Sequence, residues 1–289
     1  KSSNASKPSG RNSSPSKKNF YKQNHHTRMR IQEALAIIED YAPLSLQAGF
    51  DNSGLICGDP DRELTSALLC LDVIEDVVEE AVREGHNLIV SHHPLVFSGL
   101  KHLTPATYVE RCLIAAVRHD IAIYAAHTNM DSVANGVSGR MADKLGLYCR
   151  EILQPEGDPG FPAGFGLVGD LQAPEETMAF LRRVKETFHC GVVRHTAPCA
   201  AAVRRIAVCG GAGASFLPQA VAKGADVYIS ADFKYHDFFL AENRIVIADI
   251  GHYESEQFTK ELFYEILTKK LTNFAVRFST INTNPIKYL

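Results

Sequence analysis

Histidines and carboxylates recur in this chain where short apolar runs end. Asn87-Leu88-Ile89-Val90 runs into Ser91-His92-His93-Pro94, and Asp120-Ile121-Ala122-Ile123 leads on to His127-Thr128-Asn129-Met130-Asp131. A third run ends in Ser230-Ala231-Asp232, with Lys234 and His236 just beyond, and a fourth in Gly251-His252-Tyr253-Glu254-Ser255-Glu256. Imidazole is the commonest protein metal ligand at neutral pH. Mixed imidazole and carboxylate donors suit Zn, Mn or Fe rather than Ca or Mg, which prefer oxygen alone. The side chains of adjacent residues diverge, so His92 and His93 suit two neighbouring ions better than one. His252 and Glu256 stand four apart where a helix is expected to begin, a spacing that turns both toward one point. Each of these residues alone also reads as an ordinary polar loop residue. Together they point to a metal site.

The elements that must position them are strands alternating with helices. Strands are expected at 66–72, 87–91 and 121–126, with helices at 74–84, 106–118 and 133–145 between and after them. Residues 148–196 are less regular, with an edge-like strand at 165–171 and a helix at 174–188. Alternation returns with strands at 205–209, 226–230 and 244–250, helices at 215–223 and 255–269, and a last strand at 274–279. Such an order implies βαβ units, partly parallel sheets and right-handed crossovers. In open α/β sheets, ligands bind beyond the carboxyl ends of the strands, where the histidines and acids fall.

The chain also repeats itself. At an offset of 139 residues Cys70 falls on Cys209, Gly85 on Gly224 and Ser91 on Ser230, and the strand that follows recurs at a slightly smaller offset. The fold class expected is therefore α/β, with two similar duplicated units, mixed and partly parallel sheets, and a metal site at the strand carboxyl ends between them. The division read from the sequence is a disordered tail at 1–28, a first unit at 29–135 and a second at 136–289. The last helix and strand are free to pack on either unit.

Two turn segments carry further readings. Asp51-Asn52-Ser53-Gly54 reads as a turn whose acid caps it locally. Cys209-Gly210-Gly211-Ala212-Gly213 runs from a strand toward a helix, where the free N–H groups of Gly210, Gly211 and Gly213 could cradle an anionic part of a ligand. A tight turn between strand and helix is the other reading of those glycines.

Composition bounds the function. The 289 residues are 45% hydrophobic and 22% charged, ordinary values for a globular chain. Seven Lys or Arg and no acid lie in residues 1–28, so an overall charge of −3 becomes −10 for the rest. So acidic a body offers no electrostatic case for nucleic acid. No apolar run is long enough to span a membrane. Seven cysteines without a C-x-x-C pair suit a reducing, cytoplasmic setting.

Phe50 to Leu55, Ser91 to Pro94, His127 to Asp131, Cys209 to Gly213, Asp232 to Asp237 and Gly251 to Glu256 together resemble the Nif-three-like family. Its members are hexamers with a dinuclear metal centre, known as GTP cyclohydrolase I type 2 homologues. The likeness runs from about Met29 to Leu289 in the family's order. It implies that His92, His93, Asp131, His252 and Glu256 ligate two divalent metal ions per chain, with His127 beside them. It implies a homohexamer as well. The function expected is a metal-dependent hydrolase acting on a small, nucleotide-like molecule. Glu256 would bridge the ions, and His127 or His236 would pass a proton to the leaving group. A non-catalytic metal-binding scaffold or regulatory interaction protein is the alternative.

Overall fold

The computed structural model describes residues 1–2, 29–156, 162–271 and 274–289. The tail expected at 1–28 lies, but for its first two residues, outside the described residues. After the helix α1 (Ile31–Tyr41) come β1 (Gly54–Cys57), β2 (Ser66–Cys70), α2 (Glu75–Glu84), β3 (Leu88–Ser91), α3 (Tyr108–Arg118) and β4 (Ala122–Ala125). Two helices follow, α4 (Thr128–Ser132) and α5 (Val137–Leu145), then β5 (Tyr148–Glu156), β6 (Ala163–Glu176), α6 (Thr177–Thr187) and β7 (Arg194–His195). The chain continues through β8 (Ala202–Ala212), α7 (Leu217–Ala222), β9 (Val227–Ala231), β10 (Val246–Asp249), α8 (His252–Glu256), α9 (Thr259–Lys270) and β11 (Ala275–Phe278).

The strands form two mixed sheets. The first has the order β1-β4-β3-β2-β11 and the second β5-β6-β8-β9-β10-β7. In the first, β2, β3, β4 and β11 run parallel and β1 lies antiparallel along β4. In the second, β8, β9 and β10 run parallel, with β6 antiparallel to β8 and β7 antiparallel to β10. Helices cover both faces of each parallel core, which is why its strands read as continuous apolar runs rather than as alternation. Ala67, Leu69, Leu88 and Val90 meet α1 and α9 on one face of the first sheet, while Leu68 and Ile89 meet α2 and α3 on the other. In the second sheet, Ile206, Val208, Val227 and Ile229 pack on α5 and α6, and Ala207 and Tyr228 on α7.

Four local features differ from the sequence reading. The helix expected at 133–145 starts only at Val137 as α5, with α4 a separate short helix before it, because the chain turns at Gly136, where a Cβ would lie 1.8 Å from the Met130 carbonyl oxygen. The helix expected at 255–269 is likewise the short α8 followed by α9. The strand expected as an edge at 165–171 is the long β6, and β5 is the edge beyond it. The strand expected to stop at Cys209 continues as β8 through Ala212, so Gly210 and Gly211 are strand residues rather than a loop. Among the described residues no helix is long and apolar enough to cross a membrane.

Candidate metal centre

The parallel strands of both sheets bring their carboxyl ends together. His92 and His93 follow β3, His127 precedes α4 and Asp131 lies on it, and α8 carries His252 and Glu256. Glu256 is the meeting point. Its Oε1 lies 3.6 Å from His92 Nε2, and its Oε2 lies 3.0 Å from His93 Nε2 and 3.1 Å from His252 Nε2. Asp131 Oδ1 is 3.7 Å from His92 Nε2, and the Nε2 atoms of His93 and His252 face one another at 3.2 Å. The donor atoms of His93, His252 and Glu256 fall within 4.8 Å of one another, as do those of His92, Asp131 and Glu256 and those of His92, His93 and His127.

Each imidazole is aimed from behind. His93 Nδ1 lies 2.7 Å from Asp72 Oδ1, His127 Nδ1 2.7 Å from Asp51 Oδ1, and His252 Nδ1 2.7 Å from Asp232 Oδ2. His92 Nδ1 lies 2.9 Å from the Ala126 carbonyl oxygen. Carbonyls and ionised carboxylates only accept, so all four Nδ1 atoms carry the proton and donate. Their Nε2 atoms are thereby free to present a lone pair to the centre, the usual second contact of a ligating histidine. Asp51 does more than this, accepting also from the Thr128 amide and hydroxyl and the Ser53 hydroxyl, and so caps α4 while holding His127.

The electrostatics suit cations. Burial would lower the His93 pKa, but the carboxylates of Asp72 and Glu256 overcome it and push it up to about 10. Burial acts the same way on His252, and Asp232 and Glu256 push it up to about 11. Burial, and then the charge of Glu256, pushes Asp131 up. Glu256 is 3% exposed; burial would raise it, but the imidazoles around it, His92 foremost, hold it well below the usual carboxylate range. Asp51, Asp72 and Asp232 are held low as well: burial works against this at all three, and hydrogen bonds from His127, His93 and His252 prevail. Without ions, protons on His93 and His252 offset the packed carboxylates.

Two buried atoms of the cluster, His92 Nε2 and Asp131 Oδ1, have no hydrogen-bond partner. Buried polar atoms are normally satisfied, and an unmodified exception calls for a missing partner such as an ion. Donor chemistry, convergence and orphaned atoms all fit bound divalent metal.

Two cavities reach the cluster. One, of about 380 Å³, passes Asp72, His93, Phe97 and His252 and is walled by Asn284, Pro285 and Ile286 of the C-terminal segment. The other, of about 560 Å³, passes His127, Asp131, Gly210, His252 and Glu256 and is walled by Phe50, Phe165 and Phe216.

The structure thus brings His92, His93, His127, Asp131, His252 and Glu256 together. It does not bring His236 to them: that residue is exposed on a 3-10 helix at Tyr235–Ala241, its ring beside those of Tyr235 and Phe239. The glycines do not form the anion cradle expected of them. Gly210 N–H donates to Ser138 Oγ at 3.4 Å, Gly211 N–H to Ser255 Oγ at 2.9 Å, and Gly213 N–H to Ser230 Oγ at 3.1 Å. What Gly211 supplies is room, since at its φ of +61° a Cβ would stand 2.3 Å from Glu256 Oε1. Sequence reasoning also missed Asp72 and took Asp51 only as a cap. The available signal was their position, Asp72 two residues after β2 and Asp51 in the turn before β1.

A sequence profile of the Duf34/NIF3 (NGG1p interacting factor 3) family matches residues 29–285. The chain belongs to the Duf34/NIF3 family. The chain is 34% identical over 231 residues to the GTP cyclohydrolase 1 type 2 homolog of Clostridium perfringens, an alignment covering 79% of this chain and 87% of the relative. The homologue of that name from Campylobacter jejuni is 31% identical over 265 residues, covering 90% and 100%. Among solved structures, a Bacillus cereus protein related to NIF3 superposes with a TM-score of 0.84 at 25% identity, over 90% of this chain and 99% of that one. Reduced HcgD from Methanocaldococcus jannaschii superposes with a TM-score of 0.74 at 29% identity, over 88% and 98%.

Proposed function

We propose that this member of the family is a metal-dependent hydrolase with a dinuclear centre, acting on a small, nucleotide-like molecule. The observation that carries the reading is the position of Glu256. One of its oxygens faces His92 and the other faces His93 and His252, so a single carboxylate serves two overlapping donor sets. His92 and Asp131 would complete one site and His93 and His252 the other. Bound there, two divalent ions supply Lewis acidity and lower the pKa of a water, making a nucleophile available at neutral pH. His127 faces the larger cavity with Nδ1 held by Asp51, which fixes its tautomer and leaves Nε2 to take a proton from the attacking water and pass it to a leaving group. Asp72 and Asp232 hold the remaining rings in place. The two cavities at the cluster favour an enzyme over a closed structural site, which has no use for access.

The names of the relatives support a cyclohydrolase-like reaction for this chain too. A closed homohexamer is proposed with it, supported by exposed Tyr235, Phe239 and Leu240 in one short segment, and a cytoplasmic site, supported by seven free cysteines. The deciding assay is hydrolysis of a panel of nucleotides and cyclic amides with Mn, Zn or Fe added to the metal-stripped protein. Metal-dependent turnover with two ions per chain is expected. Absence of turnover on every member sinks the hydrolase, one ion per chain sinks the dinuclear centre, and a stable monomer near 31.8 kDa in light scattering sinks the hexamer.

A further inference from the structure

Residues 279–289 follow β11 without a helix or strand of their own, yet polar side chains hold them in place. Ser279 N–H donates to the Leu69 carbonyl oxygen of β2, and Ile281 packs on the core beneath the same sheet. Asn282 Oδ1 accepts from the Asn284 amide and Asn284 Oδ1 from the Ile286 amide, both at 3.0 Å, so two successive turns are closed by their own side chains. Pro285 steers Asn284 away from a helical conformation. At the far end the Tyr288 ring lies against Gly191, just beyond α6, where a Cβ would stand 2.4 Å from Tyr288 Cδ2. The segment thus begins beside the first sheet and ends beside a helix that packs on the second.

Between those ends it meets the supports of the cluster from two sides. Thr283, 8% exposed, donates its hydroxyl to Asp72 Oδ2 at 2.7 Å, while Oδ1 of the same carboxylate accepts from His93 Nδ1 at 2.7 Å. Asn284 Nδ2 donates to Glu254 Oε1 at 3.1 Å. Glu254 is buried on α8 between His252 and Glu256, and its other oxygen lies against Gly251, where a Cβ would stand 2.3 Å from Oε2. Gly251, at a φ of +92°, turns the chain into His252. A carboxylate accepts several donors at once, and each further donor narrows where it can sit. Without Thr283, Asp72 could rotate and take the His93 ring with it. Without Asn284, the buried Glu254 carboxylate would lose its donor and pull the start of α8 toward water. Given the metal centre read in this cluster, we infer that residues 279–289 form a strap that sets its geometry from both sides. Thr283 positions His93 through Asp72, and Asn284 positions α8 through Glu254, so metal affinity and docking of the strap depend on one another.

Zinc competition titration on the full chain tests this. Thr283→Val keeps the shape and removes the donor, and Asn284→Asp keeps the acceptor for the Ile286 amide while setting a carboxylate against Glu254. Each should weaken zinc binding about tenfold, the lower end of what loss of an outer-shell partner costs. Thr283→Ser, which restores the hydroxyl, should bind like the unaltered chain. So should Asn284→Asp combined with Glu254→Gln, in which donor and acceptor are exchanged. Coupling between two equilibria is reciprocal, so zinc should slow amide exchange at Asn284 and Ile286 of the unaltered chain by a similar factor, about tenfold. A segment that only held the fold together would not respond to zinc, and Tm identifies any variant that has failed to fold. Unchanged zinc affinity in folded Thr283→Val or Asn284→Asp, or exchange at 284 and 286 that ignores zinc, would overturn the inference. A chain that bound no zinc would remove the metal centre itself, and the strap with it. Zinc held equally by the unaltered chain and both variants, but weakly by Asp72→Asn, would remove the strap alone.

Discussion

The two halves of the molecule are built alike and used differently. In the first, edge strand β1 lies antiparallel to β4, followed across the sheet by parallel β3 and β2; in the second, β7 lies antiparallel to β10, followed by parallel β9 and β8. The fourth strand of each set leads into a five-residue helix with the same pattern, His127-x-x-x-Asp131 after β4 and His252-x-x-x-Glu256 after β10. The third strands diverge. Beyond β3 stand His92 and His93, and at the matching offset of 139 residues stand Ala231, the last residue of β9, and Asp232 just beyond it. Ala231 is buried and offers no donor, and Asp232 orients His252. Asp72, which orients His93, has Gly211 as its counterpart, and Gly211 makes the space Glu256 occupies. The two similar units therefore share one cluster, the third strand of the first ending in two imidazoles and that of the second in a carboxylate that orients His252, with Gly211 giving Glu256 its room.

The comparison breaks first at Glu256, the one residue whose carboxylate serves both donor sets. Glu256→Gln keeps the volume and removes the anion, so metal affinity should fall by more than about 100-fold, beyond what loss of an outer-shell partner costs. Asp131→Asn and His93→Ala should come close behind, and their combination should be little worse than the worse single change, because ligands of one cluster act as a unit. Elemental analysis after dialysis reads all four. His119→Ala, at the carboxyl end of α3 and outside the cluster, should keep its ions. Two tightly held ions in the Asp131 variant would show that the halves do not share their ligands as described.

A smaller loss is expected from the residues that aim the rings. Asp72→Asn in the first half and Asp232→Asn in the second should each lower metal affinity about 10–100-fold with little change in Tm. Zinc competition titration compares them directly. An unchanged affinity for Asp232→Asn alone would mean that the second half supplies no support of this kind.

Backbone clearance gives the next step down. Gly211 and Gly224 both adopt positive φ, +61° and +69°, but a Cβ at Gly211 would strike Glu256, while nothing lies within 4 Å at Gly224. Gly224→Ala should cost about 1 kcal/mol of stability from strain alone and leave metal content intact. Gly211→Ala should also displace Glu256 and lose metal. Chemical denaturation with parallel metal analysis separates the two costs, and equal metal content in both variants would deny Gly211 its role.

What the sequence made legible follows the range of the interactions involved. His92, His93, His127 and His252 were readable because each closes a local apolar run. Asp51 and Asp72 were not recognised as supports because their partners lie 76 and 21 residues away, and only the packed sheets bring them together. β5 went unseen since most of its residues are exposed, leaving no buried face to pattern it. Gly210 and Gly211 read as a loop because glycine is costly in a strand, and the reason for the exception, the approach of Glu256 and Val137, comes from distant chain.

The last difference between the halves lies midway along the helix that follows each first parallel strand. Glu80 of α2 and Gln219 of α7 are equivalent at the offset of 139 residues. Only beside β2 does another strand dock in parallel, β11, and Glu80 meets its end by accepting from the Ser279 hydroxyl and from the amide and hydroxyl of Thr280. Burial would raise the Glu80 pKa, but these hydrogen bonds hold it below its ordinary value. A carboxylate whose folded pKa lies below its unfolded one contributes stability that is fully present above the unfolded value, near 4.3, and is lost as pH falls through the folded value. Amide exchange at 276–281 should therefore accelerate as pH drops below about 4.3, after correction for intrinsic rates. The contribution is modest, on the order of 1 kcal/mol. Glu80→Gln, which gives the first half the residue of the second, should flatten that pH dependence and leave exchange in β9 unchanged. If the variant retained the full acid sensitivity, other carboxylates would be anchoring β11, and the contrast between Glu80 and Gln219 would carry no meaning for the fold.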